Sequence, residues 1–386
     1  TVSLMQRNPD VAPRWDVFCT VIDNFGDIGI AWRLARQLAR EHGIAVRLWV
    51  DDLGAFARIW PEIDPSLVSQ RREAVEVRRW TADFGPCEVG EVVIEAFGCA
   101  LPESFLQAMA ARPSKPVWIN LEYLTAEAWA GSHHGLPSPH PRLPLTRYFY
   151  FPGYRADTGG LLREAGLLER AAASRAGLAT YWSGLGVAAN ALHVSLFAYD
   201  NPALPGLFDA WAHGSEPVVC LVPEGRILPR VEAWLGEAGL EPGATRWRGA
   251  LTIRVLPFLP QDDYDRLLWA CELNFVRGED SCVRAQWAGR PFVWQAYPQE
   301  RGAHRDKLCA LFELFGEGLE PSTRAALHEL WLAWNGFAPA ERAGAAWRAI
   351  DRRAWRQRAG DWRDELAGHE DLATQLVGFA AAHAGS

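Results

Sequence analysis

Short apolar runs alternate along the chain with stretches whose apolar side chains recur at helical spacing. In the first half, the runs that predict buried strands occupy residues 16–21, 45–50, 91–95 and 117–120. Helical spacing predicts helices over residues 30–41 and 102–112. This order of strands and helices indicates a mostly parallel sheet with helices on both faces.

A second alternation follows a proline-rich stretch, residues 136–152, which predicts a long irregular connection. Further strands are predicted over residues 191–197, 217–222, 251–256 and 271–276, and further helices over 204–214, 231–238 and 262–270. Residues 331–379 predict a helical end of the chain. Two consecutive α/β units favour a two-domain enzyme whose ligand binds in an interdomain cleft.

Residues 275–287 are the most informative stretch, because an apolar strand passes through polar residues directly into an amphipathic helix. Asp280 or Ser281 would cap this helix, so that its N–H groups and positive end face whatever lies above the turn. Arg277 adds a positive charge, and Glu279 adds an acceptor suited to sugar hydroxyls. Together these groups match a nucleotide-sugar diphosphate, although an ordinary strand–turn–helix corner has the same pattern.

A loop with two aspartates follows the first predicted strand. Asp23 and Asp27 lie there with Gly26 and Gly29, at the carboxyl end of a strand, where open α/β sheets bind ligands. The spacing is not the dinucleotide-binding fingerprint, and carboxylates would repel a diphosphate. We interpret these carboxylates as a general base or as partners of a cation. The alternative is that Asp27 only caps the first helix.

Aromatic side chains follow two strands of the second unit. Phe197 and Tyr199 alternate at the end of one predicted strand, so their side chains share a face. Phe258 lies in another strand-to-helix loop, where its ring can stack on a nucleobase, and Gln261 can read a base edge. Core packing is the commoner role of a single phenylalanine.

The composition disfavours several other classes of protein. The chain has 386 residues, 49% of them hydrophobic, and a formal net charge of −8, which argues against broad binding to nucleic acid or to an anionic membrane. Its seven cysteines form no CxxC pair and indicate neither a zinc site nor a disulfide framework. No apolar run approaches the roughly 20 residues of a membrane helix. We expect a cytoplasmic protein without a metal site.

Several motifs resemble those of a known bacterial family. They are FCTVIDNFGDIG at 18–29, WRLAR at 32–36, NLEYL at 120–124, FPG at 151–153, GGLLRE at 159–164, RGEDS at 277–281, PFVW at 291–294 and YPQE at 297–300. Over residues 15–380 the chain resembles the protein-arginine rhamnosyltransferases that modify translation elongation factor P, the EarP family.

The resemblance implies a GT-B architecture, in which two Rossmann-like domains face each other across a cleft. The implied N-terminal domain, residues 14–178, carries the catalytic aspartate loop on the acceptor side. Residues 179–360 would form the C-terminal domain with the nucleotide-sugar site, and residues 361–384 a helix that returns to the first domain.

The resemblance also implies the reaction. L-Rhamnose would pass from dTDP-β-L-rhamnose to an arginine guanidinium of translation elongation factor P, with inversion at the anomeric carbon and without a metal or other cofactor. The modified factor would then rescue ribosomes stalled on polyproline.

Roles for single residues follow from the resemblance in the same way. Asp27 is implied as the catalytic base and Asp23 as a second carboxylate at the reaction centre. The residues implied in dTDP-rhamnose binding are Asn24, Phe25, Gly26, Phe197, Tyr199, Phe258, Gln261, Arg277, Glu279, Asp280, Ser281 and Tyr297.

Within this set, three side chains would hold thymine: Phe258 by stacking, Gln261 by a bond to the base edge, and Phe197 as a wall. Glu279 would contact the deoxyribose. The diphosphate would be held by Arg277, Tyr199 and the backbone N–H groups of residues 280 and 281.

One departure from the family pattern lies beside the diphosphate contact Tyr297. Gln295 and Ala296 stand where the pattern has a histidine followed by an apolar residue. Further on, Arg305 and Asp306 replace a more apolar pair. We expect these changes to affect the surroundings of Tyr297 rather than Asp27 or the 277–281 segment.

Two other interpretations remain open. The first is a GT-B glycosyltransferase or epimerase that uses a different nucleotide sugar, such as a UDP-linked one. The second is a non-catalytic α/β scaffold that contacts elongation factor P or another translation component. An apolar wall for the thymine methyl group would favour dTDP, and carboxylates opposite an anion-binding turn would favour an enzyme.

Overall fold

The computed structural model describes residues 12–22, 25–81, 83–299 and 302–385. The chain divides into two compact units. The first comprises the described residues up to Leu124, Trp129–Ala165 and the segment from Glu370 onward. The second comprises Thr125–Ala128 and Gly166–His369. Each unit is built around one sheet, so the predicted α/β class is confirmed.

The first sheet has eight strands within the described ranges. They are β1 (Arg14–Cys19), β2 (Ala45–Val50), β3 (Ser69–Arg72), β4 (Val75–Arg79), β5 (Val92–Ala96), β6 (Val117–Leu121), β7 (Pro137–Pro139) and β8 (Thr146–Tyr150). Their order is β3-β4-β2-β1-β5-β6-β8-β7, with β3 and β7 antiparallel to their neighbours and the other pairs parallel.

Helices of the first unit cover this sheet. They are α1 (Gly26–Glu41), α2 (Leu53–Ile59), α3 (Glu103–Ala111) and α4 (Trp129–His133). Helix α1 buries Ile28, Trp32 and Ala35, which recur at helical spacing. Helix α3 buries Phe105 and Met109 in a core cluster with residues of β1, β2, β5 and β6.

The second sheet contains six strands of the described chain. They are β9 (Leu192–Leu196), β10 (Val218–Pro223), β11 (Thr245–Arg248), β12 (Leu251–Leu256), β13 (Leu273–Arg277) and β14 (Phe292–Gln295). Their order is β11-β12-β10-β9-β13-β14, and every pair is parallel except β11 with β12. The parallel strands are almost fully buried, which explains their continuous apolar runs.

Helices of the second unit connect these strands and complete its C-terminal part. They are α5 (Leu167–Ser174), α6 (Leu178–Leu185), α7 (Leu204–Ala212), α8 (Leu228–Leu235), α9 (Gln261–Ala270), α10 (Gly278–Trp287), α11 (His304–Gly316), α12 (Pro321–Trp334), α13 (Arg342–Ala349) and α14 (Arg352–Ala367), with a short 3₁₀ helix at Arg175–Gly177. The predicted helical character of residues 331–379 is confirmed.

The last helix, α15 (Leu372–His383), packs within the first unit. The Leu372 N–H donates to the Leu161 carbonyl at 2.9 Å. The Phe379 ring lies edge-on to Tyr148 and Tyr150, with ring centres 5.6 and 5.4 Å away. The end of the chain thus contributes to the fold of the first unit.

The first unit gives way to the second after Ala165, and the second unit ends at His369. The boundaries expected from the sequence were residues 178 and 360. Helix α14 stays with the second unit because it bonds to α10 and α11. Trp362 Nε1 donates to Gln286 Oε1 at 2.8 Å, and Arg358 Nε donates to the Phe315 carbonyl at 2.7 Å.

The expectation of an irregular connection over residues 136–152 is wrong, because β7 and β8 lie there. Strand β8 has the sequence TRYFY, and β-branched and aromatic residues favour strands. Strand β7 (Pro137–Pro139) is a short edge strand, which is where proline is tolerated in a sheet.

Each sheet has a point at which the succession of strands changes direction. In the first sheet the chain moves outward from β1 to β2 and returns to β5 on the other side of β1. In the second sheet it moves from β9 to β10 and returns to β13 beside β9. Ligands of open α/β sheets bind beyond the carboxyl ends of the strands at such points. Asp27 follows β1, and Tyr199 and Arg277 come at the ends of β9 and β13.

Candidate active site

The turn from β13 into α10 is tighter than the sequence analysis expected. The helix begins at Gly278, and Arg277 is its N-cap residue with φ −128° and ψ 159°. The prediction that Asp280 or Ser281 caps this helix is wrong, because the Ser281 hydroxyl donates to the Arg277 carbonyl one turn back. Gly278 has φ +64°, a left-handed conformation that glycine adopts without a steric penalty.

The earlier start changes which backbone groups can meet an anion. The first helical turn comprises Gly278, Glu279 and Asp280, and the N–H groups of a first turn lie at the positive end of a helix. Ser281 is the fourth helical residue, so helical geometry directs its N–H at the Arg277 carbonyl. The first turn of α10 therefore lies closer to Arg277 than the motif alone indicated.

Arg277 is buried against two aromatic rings. Its Cζ atom lies 4.5 Å from the ring centre of Phe197 and 4.5 Å from that of Tyr199, and the residue is 7% exposed. Cation–π contacts with two rings hold the planar guanidinium in place. The structure thus brings together three of the residues that the sequence analysis assigned to the nucleotide sugar.

Two further rings extend this aromatic group. Tyr264 lies against Phe197 with ring centres 5.4 Å apart, and Tyr297 lies edge-on to Tyr199 at 5.7 Å. Burial raises the pKa of the Tyr264 phenol, so this side chain stays neutral. Tyr297 is 42% exposed, whereas Tyr199 is 6% exposed.

The departure at Gln295 has a structural role. Gln295 is buried at the end of β14, and its Oε1 accepts a hydrogen bond from the Tyr199 N–H at 2.8 Å. The next residue, Ala296, donates its N–H to Asn335 Oδ1 at 2.9 Å. The amide of Gln295 therefore fixes the backbone that carries the Tyr199 ring.

Phe258 and Gln261 lie at the adjoining loop after β12. The Phe258 ring is half-buried, and its N–H donates to Glu224 Oε2 at 3.2 Å. Gln261 begins α9, and its Nε2 donates to Asp280 Oδ2 at 3.1 Å. This bond connects the start of α9 to the first turn of α10, so Gln261 positions Asp280.

Glu279 has a partner that the sequence analysis missed. The Lys307 Nζ lies 3.5 Å from Glu279 Oε1, and the two side chains are 19% and 15% exposed. Lys307 is in the first part of α11, 28 residues further along the chain. No motif could identify it, because the contact depends on how α11 packs beside α10.

In the first unit, Asp27 lies in the first turn of α1 and is 2% exposed. Its Oδ2 accepts a hydrogen bond from the Ile22 N–H at 2.9 Å, so the carboxylate ties the loop to the helix. The N-cap residue is Phe25 rather than Asp27, which removes the interpretation of Asp27 as a simple cap. Asp23 and Asn24 lie outside the described residues.

Two further loop residues predicted for the site lie beside Asp27. Gly26 is the first residue of α1, and the Phe25 carbonyl accepts from the Gly29 N–H at 2.9 Å. The Arg58 Cζ lies 5.9 Å from the Phe25 ring centre.

Burial, together with the charge of Asp27, raises the pKa of the Cys19 thiol well above its ordinary value. Cys19 is therefore protonated and not a nucleophile.

The described residues lack the features of two other kinds of protein, those that bind a metal through clustered side chains and those that cross a membrane as helices. No group of three or more His, Cys, Asp or Glu side chains in these ranges could hold a metal ion. None of the described helices is long and apolar enough to cross a membrane. The expectation of a reaction without a metal remains a prediction.

The chain was compared with known proteins. The family model described as "Elongation-Factor P (EF-P) rhamnosyltransferase EarP" matches residues 15–381. A protein-arginine rhamnosyltransferase of Pseudomonas aeruginosa is 51% identical over 374 residues, which cover 95% of this chain and 98% of that protein. The corresponding protein of Shewanella oneidensis is 39% identical, with the same coverage.

A solved structure described as "Structural basis for EarP-mediated arginine glycosylation of translation elongation factor EF-P" is 37% identical, with a TM-score of 0.68. The match covers 96% of this chain and 99% of that one. A glycosyltransferase of Rickettsia africae, 9% identical with a TM-score of 0.52, shares the fold. The fold is the GT-B fold of glycosyltransferases. Because the family model matches residues 15–381 and the match to the relatives covers 95% of this chain, the chain belongs to the EarP family of elongation factor P rhamnosyltransferases.

Proposed function

We propose that this protein is an inverting protein-arginine rhamnosyltransferase. It transfers L-rhamnose from dTDP-β-L-rhamnose to an arginine of translation elongation factor P in the cytoplasm. The modified factor then relieves ribosomes stalled on polyproline. The family's description and the relatives' names support the reaction class and the acceptor.

The observation that carries the donor assignment is the Arg277 guanidinium, buried between two aromatic rings beside the first turn of α10. A guanidinium can bind two phosphate oxygens at once. The positive end of the helix adds N–H donors in the same direction. A diphosphate at this turn is stabilised as a leaving group, because its charge grows as the sugar departs.

The thymine assignment rests on the loop beside the Arg277 turn. Phe258 and Phe197 supply rings that a base can stack on, and both are half-buried in the described chain. Gln261 has an amide that can read a base edge while it bonds to Asp280. Glu279, in the first turn of α10, has a carboxylate that can accept from a sugar hydroxyl.

The acceptor chemistry requires a carboxylate, because a guanidinium is protonated at neutral pH and is a poor nucleophile. An ordinary carboxylate, with a pKa of about 4, cannot remove this proton before the bond to the sugar forms. We propose that Asp27 binds and orients the guanidinium, aligns one nitrogen for attack, and takes its proton late. Asp23 assists as a second carboxylate.

We expect the transfer to proceed without a metal. Arg277, Lys307 and the start of α10 provide positive charge from the chain itself, and these groups can offset the charge of the diphosphate. The same groups would serve any nucleotide sugar, so an enzyme for a UDP-linked sugar is the alternative that needs a test.

Donor selectivity is tested by titrating the protein with dTDP-β-L-rhamnose and with UDP-linked sugars in a calorimeter. We expect dTDP-rhamnose to bind at least about fourfold more tightly, because one buried methyl group contributes about 0.8 kcal/mol. A UDP-linked sugar that binds equally well or better would contradict the donor assignment and favour the alternative.

The ion pair of Glu279 and Lys307 leads to a second prediction. A carboxylate beside a diphosphate repels it, and Lys307 offsets this charge. Lys307→Gln is expected to weaken dTDP-rhamnose binding about threefold to tenfold, as expected for a half-buried ion pair. In the background of Glu279→Gln, the same substitution should have little further effect, because the two residues act as a unit.

The matched control is Lys115→Gln. Lys115 is the other lysine of the chain, and its ammonium bonds to the Ala110 and Arg112 carbonyls in the first unit. This variant should bind the donor as the unaltered protein does. Equal losses from Lys307→Gln with and without Glu279 would show that Lys307 does not act through Glu279.

A further inference from the structure

We propose that Arg226 is a further phosphate-binding residue of the nucleotide-sugar site, an inference that rests on the function proposed above. Arg226 follows β10 in the sequence Glu224-Gly225-Arg226, and the sequence analysis did not single it out. Strand β10 lies between β9 and β12. The loop therefore leaves the sheet between the strand that leads to Phe197 and Tyr199 and the strand that leads to Phe258.

The first observation is the position of the guanidinium. The Arg226 Cζ lies 6.0 Å from the ring centre of Tyr199, and the Arg277 Cζ lies 4.5 Å from the same centre. Two positive charges therefore share one aromatic ring. Arg277 is buried and Arg226 is exposed. Packing therefore holds the guanidinium of Arg277 in place, whereas the guanidinium of Arg226 can move toward a ligand.

The second observation concerns the acidic groups that could neutralise the charge of Arg226. In the part of the chain that the structure describes, no carboxylate oxygen lies within 4.0 Å of a guanidinium nitrogen of Arg226, the distance that defines an ion pair. Arg230, on the helix that follows, differs: it makes two hydrogen bonds to the Asp200 carboxylate, at 2.8 and 2.7 Å. Two neighbouring guanidiniums repel each other, and an anion bound between them removes this cost.

The third observation is the fixed base of the loop. The Glu224 N–H donates to the Leu256 carbonyl at 3.0 Å, and Glu224 Oε2 accepts from the Phe258 N–H at 3.2 Å. A Cβ built on Gly225 would lie 3.5 Å from the Phe197 ring. The backbone at Arg226 is therefore held between the two proposed base-binding rings, while its side chain extends into solvent.

These observations favour the phosphate groups of the nucleotide sugar as the ligand of Arg226. A guanidinium matches phosphate oxygens with paired, charge-assisted hydrogen bonds and has no comparable partner on a thymine or a deoxyribose. Tyr199, which it adjoins, is a proposed diphosphate contact. Arg226 thus holds the outer side of the diphosphate and Arg277 the inner side.

The test is calorimetric titration of the full chain and of Arg226→Gln with dTDP and with thymidine. We expect the substitution to raise the Kd for dTDP about tenfold, the loss expected for one exposed charge-assisted bond. The Kd for thymidine should change less than about twofold, since thymidine lacks phosphates. Added salt should weaken dTDP binding more in the unaltered chain than in the variant.

Two further variants sharpen the result. Arg226→Lys keeps the charge without the planar fork and should recover part of the dTDP affinity. Arg266→Gln is the control, because Arg266 is a 66% exposed arginine on α9 that pairs with Asp263. It should leave the Kd for dTDP unchanged.

The outcomes separate this inference from the proposed function. If the unaltered chain does not bind dTDP, the proposed donor is wrong, and the role of Arg226 falls with it. If dTDP binds and Arg226→Gln keeps that affinity within about twofold, the inference alone is overturned. An equal loss of thymidine and dTDP would also overturn it, because Arg226 would then support the base pocket.

Discussion

Asp27→Asn is expected to lower kcat for arginine rhamnosylation about 1000-fold, within the range for loss of a positioned general base. The asparagine amide cannot accept the proton of the attacking guanidinium, and it lacks the charge that holds this cation. Its oxygen can still accept the Ile22 N–H, which lies 2.9 Å from Asp27 Oδ2, so the loop should keep its structure. Steady-state kinetics with elongation factor P measures the loss.

Asp51→Asn is the matched control for this prediction. Asp51 Oδ1 accepts the Val21 N–H at 2.9 Å, so this carboxylate also ties down the loop after β1, but it is exposed. We expect its turnover to stay within about threefold of the unaltered protein, as for one modest hydrogen bond. The base assignment fails if Asp27→Asn turns over normally, or if both variants lose activity equally.

Arg277→Gln is expected to lower kcat/KM about 100- to 1000-fold, the usual loss when one group that stabilises developing negative charge is removed. The residue is 7% exposed between Phe197 and Tyr199, so water cannot readily replace its charge. Arg277→Lys should recover little of this loss, because an ammonium cannot stack on both rings or bind two phosphate oxygens in one plane.

The measurement is kcat/KM for dTDP-rhamnose, with thermal melting to show that each variant is folded. Binding of thymidine should change far less than binding of dTDP, because the guanidinium acts on the phosphates. A folded Arg277→Gln protein with kcat/KM within about threefold of normal would remove Arg277 from the diphosphate site.

The sequence predicted β1, β2, β5 and β6 of the first sheet and β9, β10, β12 and β13 of the second, because buried strands are continuous apolar runs. It missed the hairpin of β3 and β4, whose turn residues Glu73 and Ala74 have φ +49° and +67°. Such turns usually carry asparagine or glycine, so a Glu-Ala turn gives no recognisable signal. It also missed β8, because the prolines before it concealed a strand-forming run.

The site could be predicted only as far as its residues adjoin strand ends. Arg277, Tyr199 and Phe197 were found because motif and strand alternation placed them at one edge of the second sheet. Lys307, Arg226 and the bond from Tyr199 to Gln295 were not, since each depends on packing between segments distant in sequence. The start of α10 was misplaced because Gly278 allows the chain to turn directly after β13.

The central claim is the transfer of rhamnose to elongation factor P. Its most direct test is intact-mass spectrometry of elongation factor P from a bacterium that has a member of this family, after incubation with this protein and dTDP-β-L-rhamnose. The account predicts a mass increase of one deoxyhexose on a single arginine, located by fragmentation, and no detectable increase with Asp27→Asn over the short incubation that modifies the factor with the unaltered protein. An unmodified factor after incubation with folded protein that binds dTDP-rhamnose would contradict the proposed acceptor.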